Sequence, residues 1–315
     1  MKKNINQEHF EGRVYQHDLT LKESGAQSKN PGTVYISGNL EIAVDEEGLN
    51  IIPIHFTYVT ETYAKSGKTN NTFTELKRII ETGKTWIADG KDLATKVKVD
   101  ASISLNDFYN QEDNLVSTKV NEGSFVTIVN ELCPENERNT FSVDMVITGV
   151  TRVEANEEKH IDTDYVVLKG AIFNFMNALL PVEFTIRNEL GMKYFEDLEI
   201  SSSEPMYTKV WGKVNCMTST TTSIEESAFG EAAVKTYEKK SKSWDVTGTA
   251  KVPYDFGDEK VMTAEELTTA SQNRQIHLAD IKKKAEDYRA QKASGKTISS
   301  LAGTTPGIKT GEFHF

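Results

Sequence analysis

Apolar and polar residues alternate with period two through most of the first 252 positions, the pattern of half-buried strands. Strand-like stretches open at Phe10-Glu11-Gly12-Arg13-Val14-Tyr15 and run over residues 33–44 and 51–59. In the third, Ile52, Ile54, Phe56 and Tyr58 are placed on the core face, with His55 and Thr57 on the other. Gly38 falls inside the second, where a glycine marks a bulge or bend. Residues 24–32, carrying Asn30-Pro31-Gly32, and Asp45-Glu46-Glu47-Gly48 read as turns. Thr72-Phe73-Thr74-Glu75 has the form of a capping box. It opens a helix with Phe73, Leu76, Ile79 and Ile80 on one face and Gly83 placed to stop it. Alternation returns over 95–105, with Val97, Val99, Ala101, Ile103 and Leu105 inward and Lys96 and Lys98 outward. A polar loop over 106–123 and a last strand over 124–130 complete the first half.

The same order then recurs. Pro53-Ile54-His55-Phe56-Thr57-Tyr58 is echoed by Pro181-Val182-Glu183-Phe184-Thr185-Ile186. Val34-Tyr35-Ile36-Ser37-Gly38 before the first copy is echoed by Val166-Val167-Leu168-Lys169-Gly170 before the second. A diverged tandem repeat follows from this, and repeats take precedence over other features in reading a chain. The second unit has strands over 141–154, 164–175 and 181–187, then a reduced or irregular helical element within 188–205. A lysine strand follows, then a loop over 218–243 and a closing strand over 244–252. Three strands, a helix and two strands is the order of a five-stranded Greek-key barrel of the OB type. The predicted fold is mainly β with short helices: two tandem OB-like barrels plus a C-terminal helix and tail. The expected divisions are 1–132, a linker 133–140, 141–254, a helical segment 255–292 opened by the capping box Thr263-Ala264-Glu265-Glu266, and a flexible tail 293–315. Phe56 and Phe184 are core positions, useful mainly for aligning the repeats.

Composition narrows the function. The 315 residues carry 47 acids against 36 basic residues, net −11, which disfavours coating of nucleic acid by bulk charge and leaves local basic faces to do any steering. No apolar run approaches the roughly 20 residues of a membrane helix, and the start lacks the apolar core of a secretory signal. A cytoplasmic location is therefore expected. Cys133 and Cys216 have no CxxC partner, and the histidines include no HExxH, so no metal or other cofactor is expected. Gly-Lys-Thr occurs at 67–69, 83–85 and 295–297, but the glycine that a phosphate loop needs is replaced by Thr62, Arg78 and Ala290. No catalytic constellation emerges, and the protein is read as a non-enzyme.

The candidate chemistry lies on the outward faces. With Val210, Gly212, Val214 and Cys216 inward, Lys209, Trp211 and Lys213 face out together, matched by Lys96 and Lys98 in the first repeat. A tryptophan between lysines suits a single strand, the lysines neutralising phosphates while the indole stacks on a base. Further candidates are Tyr63, Lys65, Lys68 and Trp86 after the third strand, Arg187 at the end of its counterpart, and Lys235 and Tyr237 in the loop before the last strand. On the repeat order and the Lys-Val-Lys and Lys-Val-Trp-Gly-Lys strands, the chain resembles the phage and bacterial OB-fold single-stranded DNA-binding proteins, in tandem-barrel form. The resemblance implies sequence-independent coating of single-stranded DNA in replication or recombination, without a cofactor and with possible self-association. It also implies recruitment of replication or recombination proteins through an aromatic C-terminal end, here Phe313 and Phe315. The alternative is a virion structural or assembly protein made of duplicated β domains with a helical arm.

Overall fold

The computed structural model describes residues 4–26, 28–156, 161–225, 233–256 and 261–293, and only the backbone of 219–225, 233–239 and 291–293. The C-terminal end with Phe313 and Phe315 lies outside the described residues.

The first barrel is built from β1 (Asn6–His17), β3 (Val34–Ala43), β4 (Ile51–Thr60), β5 (Lys96–Tyr109) and β6 (Leu115–Ile128). β1 pairs antiparallel with β3 and β5, β3 with β4, and β5 with β6, while β4 and β6 meet in parallel. The circuit β1-β3-β4-β6-β5 thus closes on itself as a five-stranded barrel. A short β2 (Thr20–Glu23) adds to the free edge of β3. Between β4 and β5 lies helix α1 (Asn71–Thr82), whose Phe73, Leu76 and Ile79 are buried. Asn70, not Thr72, caps it: the Asn70 side chain accepts the Thr72 N–H at 3.1 Å, so the cap begins two residues earlier than the capping-box reading places it. A one-turn α2 (Trp86–Asp89) follows Gly83.

The second barrel repeats this circuit with β7 (Asn139–Val153), β8 (Tyr165–Phe173), β9 (Leu179–Ile186), β10 (Met206–Glu225) and β11 (Ala233–Thr249). β7 pairs with β8 and β10, β8 with β9, β10 with β11, and β9 meets β11 in parallel. Its inter-strand helix, α3 (Glu189–Glu196), spans 8 residues against 12 for α1, the expected reduction. Phe56 and Phe184 are 0% and 1% exposed at the matching places of the two interiors.

Two expected loops are corrected. Residues 106–123 and 218–243 continue the flanking strands as long hairpins, with pairing from Tyr109↔Leu115 and from Glu225↔Ala233 inward. Their polarity hid a β pattern, because mostly polar strands show no apolar alternation however well they pair. The run Thr220-Thr221-Thr222 is β-branched, and Thr is a good strand former whatever its polarity. The first hairpin turns through Asn110, whose side chain accepts the Glu112 and Asn114 N–H groups, with Asp113 at φ 64°.

The barrels are spliced edge to edge. Asn6–Phe10 of β1 pair antiparallel with Val143–Asn139 of β7, so one sheet passes from β5 through β1 and β7 to β10. Below it, Arg138 anchors the connecting segment, donating to the Cys133 carbonyl at 2.8 Å and to Glu46 at 2.8 Å. Arg13 and Lys91 also meet Glu46, and these hydrogen bonds hold its carboxyl down at about 2. Helix α4 (Ala264–Ala293) starts from a realised capping box, in which Thr263 Oγ1 accepts the Glu266 N–H and Glu266 Oε2 accepts the Thr263 N–H. Near that start Val261, Met262 and Ala270 bury against Val146, Phe173 and Tyr207 on the outside of the second barrel. The helix then reaches the β5–β6 hairpin of the first, where Arg274 makes two hydrogen bonds to Asp107 at 2.7 and 2.8 Å.

Candidate nucleic-acid interface

Residues directly opposite each other in an antiparallel pair share a face, so the splice orders the outward side chains into rows. Asp100, His9, Thr140 and Lys213 form one row across β5, β1, β7 and β10, and Gln7, Ser142 and Trp211 the next. Lys98 stands opposite Glu11, and Lys209 opposite Asp144, at the two ends of this face. The predicted set from both repeats is therefore brought onto one sheet face, with β5 and β10 about 14 Å apart at three strand spacings.

The members of that set are not equally free. Lys96 donates to the Asn130 carbonyl at 3.1 Å and Lys213 to the Asn136 carbonyl, so both hold the segment that joins the barrels. Burial lowers the Lys213 ammonium below the ordinary lysine value. Lys98 is exposed, and Trp211, 40% exposed, lies flat over Gly248. A Cβ at Gly248 would come within 2.5 Å of the indole Nε1, so this glycine sets the ring's position. The face thus offers one wide aromatic surface, Trp211, with Lys98 and Lys209 at its margins.

A second surface lies on β3 and β4, and the sequence reading missed it. Ile36 faces Val59 but Gly38 faces Phe56, so β4 carries one residue more than β3 between these pairs. That bulge breaks the alternation: Phe56 stays inside, Val59 packs on the core, and Tyr58 turns outward to 46% exposure. The core placement of Tyr58 is corrected accordingly. Its ring meets that of Tyr35 with centroids 4.4 Å apart, its hydroxyl lies 3.0 Å from Ser24 Oγ, and exposed Lys22 pairs opposite Tyr35. The available signal was Gly38, recognised as a bulge glycine without its effect being carried onto the neighbouring strand. In the second barrel the register has no such step, and Ile186 stays buried at 1%. Tyr165 takes the outward aromatic role there, with the Arg187 guanidinium 5.1 Å from its ring centroid and 3.4 Å from Asp245. An open groove of about 720 Å³ beside it is lined by Arg152, Arg187 and Lys193, but Arg152 is neutralised by Asp164 at 2.6 Å and Glu196 at 3.0 Å.

Tyr63, Lys65 and Lys68 sit exposed in the tight turn closed by Tyr63 N–H to the Lys68 carbonyl at 2.9 Å. Trp86 is taken up by packing, 6.1 Å from the Tyr15 ring and against Gly48, with Lys91 over it at 5.7 Å. Lys235 and Tyr237 pair with Ser223 and Thr221 in the second hairpin, and their side chains lie outside the described residues. Among the described residues one trio of metal-ligating side chains converges, His9, Glu11 and Cys133. No helix among the described residues is long and apolar enough to cross a membrane.

Two closed circuits, each with its helix between third and fourth strand and a parallel contact between third and fifth, define a tandem OB-fold protein. Residues 4–284 match the YorF family, and the chain belongs to it. No curated protein matches the sequence. Among solved structures, the chain is similar to a deletion mutant of the single-stranded DNA binding protein from Thermus aquaticus. The identity is 10%, covering 82% of this chain and 98% of that one, with a TM-score of 0.46. It is also similar to a replication protein A heterotrimer bound to single-stranded DNA, at 11% identity over 84% of this chain and 69% of that one, with a TM-score of 0.23. The OB assignment stands on the strand circuits and not on these likenesses.

Proposed function

We propose that this protein binds single-stranded DNA without sequence readout and without catalysis, in replication or recombination. The observation that carries the proposal is the Tyr35–Tyr58 pair, set outward by a bulge on the β3–β4 face beside Lys22. In an OB barrel, the face of the second and third strands and the adjoining loops are where oligonucleotides bind. Aromatic rings accept any base by stacking, and neighbouring lysines take phosphates, so an acidic protein with local cations can hold a strand sequence-independently. Trp211, with Lys98 and Lys209 at its margins, supplies a second platform on the spliced sheet.

The two surfaces make separable predictions. Tyr58→Ala and Trp211→Ala should each weaken binding of a fluorescent oligo(dT) by about 1–3 kcal/mol per lost base stack, roughly 5- to 150-fold. Anisotropy titrations measure this, with circular dichroism showing that the fold is kept. If only Tyr58→Ala weakens binding, the strand runs over β3 and β4 and Trp211 is structural. Unchanged affinity in both variants contradicts the stacking account.

A further inference from the structure

His9 and Glu11 are two residues apart on β1 and so leave the same face of the strand. The segment joining the barrels brings Cys133, 122 residues from Glu11, to this point, where its backbone N–H donates to Glu11 Oε2 at 2.8 Å. Arg138 holds the Cys133 carbonyl at 2.8 Å, so the segment is fixed here on two sides. His9 Nε2 is 3.3 Å from Glu11 Oε1, and one ligating atom from each of His9, Glu11 and Cys133 lies within 4.8 Å of the others. His9 Nδ1 is engaged by Asp100 Oδ1 at 3.1 Å, which directs Nε2 toward the other two groups.

We propose that His9, Glu11 and Cys133 are the ligands of a divalent transition-metal site, zinc by its donor set, that fastens the interbarrel segment to β1. One imidazole nitrogen, one carboxylate oxygen and one sulfur form a set of intermediate softness, which suits zinc and its borderline neighbours rather than magnesium or calcium. With zinc–ligand bonds of about 2.0–2.3 Å, tetrahedral ligand atoms stand roughly 3–4 Å apart; His9 Nε2 and Glu11 Oε1 are already at 3.3 Å, and all three ligand atoms lie within 4.8 Å of one another. Asp100 supplies the carboxylate that orients a ligating histidine. Three protein ligands leave a fourth position for water or another small donor. The site lies on the spliced sheet face, one row from Trp211 and beside Lys98, and metal binding there is read without nucleic acid present.

Cobalt(II) titrated into the chelator-stripped full-length protein tests this. The expected result is equimolar saturation, with the intense d–d bands of a tetrahedral site and a thiolate-to-cobalt charge-transfer band, both removed by added zinc. Cys133→Ser should abolish the charge-transfer band, Asp100→Asn should weaken the affinity about 10-fold, and Cys216→Ser should change neither. His9→Gln, which leaves the thiol in place, should reduce the d–d intensity and serves if Cys133→Ser does not fold. Absence of a thiolate band, or a band that survives Cys133→Ser, overturns the proposal and leaves the trio as a hydrogen-bonded polar cluster.

Discussion

Replacing Arg274 by alanine is expected to release α4 from the first barrel, at a cost of about 3 kcal/mol or somewhat more. The guanidinium makes two hydrogen bonds to Asp107, and the paired side chains are 8% and 3% exposed. Removing one member leaves the other charge buried, and its desolvation is then offset mainly by Ser117, which donates to Asp107 at 2.6 Å. That remaining hydrogen bond sets the estimate at the low end of the about 3–5 kcal/mol typical of broken buried pairs. Further along α4, Lys282 and Arg289 meet Asp113 at 2.9 and 3.2 Å, but these groups are about two-fifths exposed. Lys282→Ala should therefore leave the protection of α4 nearly unchanged. Hydrogen exchange is the suitable readout, because a chain of two barrels need not unfold in one step. Faster exchange throughout α4 in Arg274→Ala, recovered by Asp107→Leu together with Arg274→Met, supports the account. Unchanged protection in the single variant contradicts it.

The second large effect concerns Glu8 at the splice. β1 presents Glu8 beside Phe141 of β7, so its carboxyl points toward the second barrel's interior and accepts the Trp244 indole N–H at 2.8 Å. Lys119 from β6 and Lys242 from β11 stand 4.3 and 4.6 Å from the centre of that indole, with Glu183 and Asp245 acting on Lys119 from the second barrel. Burial pushes Glu8 from 4.5 up to about 7, and lowers Lys119 from 10.5 to about 8. The folded state holds the Glu8 proton more tightly than the unfolded chain, so this contribution is full below pH 4.5 and is lost as pH rises through about 7. Lys119 acts with the opposite sign: its depressed value gives stability that is present above 10.5 and lost as pH falls through about 8. A minimum in this part of the stability profile is expected between about pH 7 and 8. Glu8→Gln keeps an acceptor for Trp244 without the charge and should flatten the descending limb, on the order of 2–3 kcal/mol between pH 5 and 7. Denaturant midpoints followed by tryptophan fluorescence measure it. An unaltered limb in Glu8→Gln would place the pH dependence elsewhere.

How far the sequence can be read depends on which residues have a core to report. Phe56 and Phe184 recur because each fills the same place in a closed barrel, and their flanks carry the strand order with them. Strand order in turn defines the circuit once the helix is located between third and fourth strands. The hairpins over 106–123 and 218–243 escaped because most of their residues are polar, so period-two contrast vanishes while strand pairing persists. Tyr58 escaped for a different reason: a bulge is a property of two paired strands, and counting along one of them returns the wrong face. The splice of β1 onto β7 is likewise a pairing between segments 129 to 137 residues apart, and it alone decides that Lys98 and Trp211 share a sheet. His9 lies ahead of the strand opening read at Phe10, and nothing local announces that Cys133 closes on it and on Glu11.

The central claim, single-stranded DNA binding by a tandem OB-fold, is tested most directly by titrating labelled oligo(dT) with the unmodified protein across a salt series, with a duplex of equal length as competitor. The account predicts micromolar or tighter binding at low salt. It also predicts a logarithmic salt slope of about −0.7 per phosphate neutralised, and displacement by unlabelled single strand but not by duplex. No binding at the lowest salt, or equal competition by duplex, would contradict it.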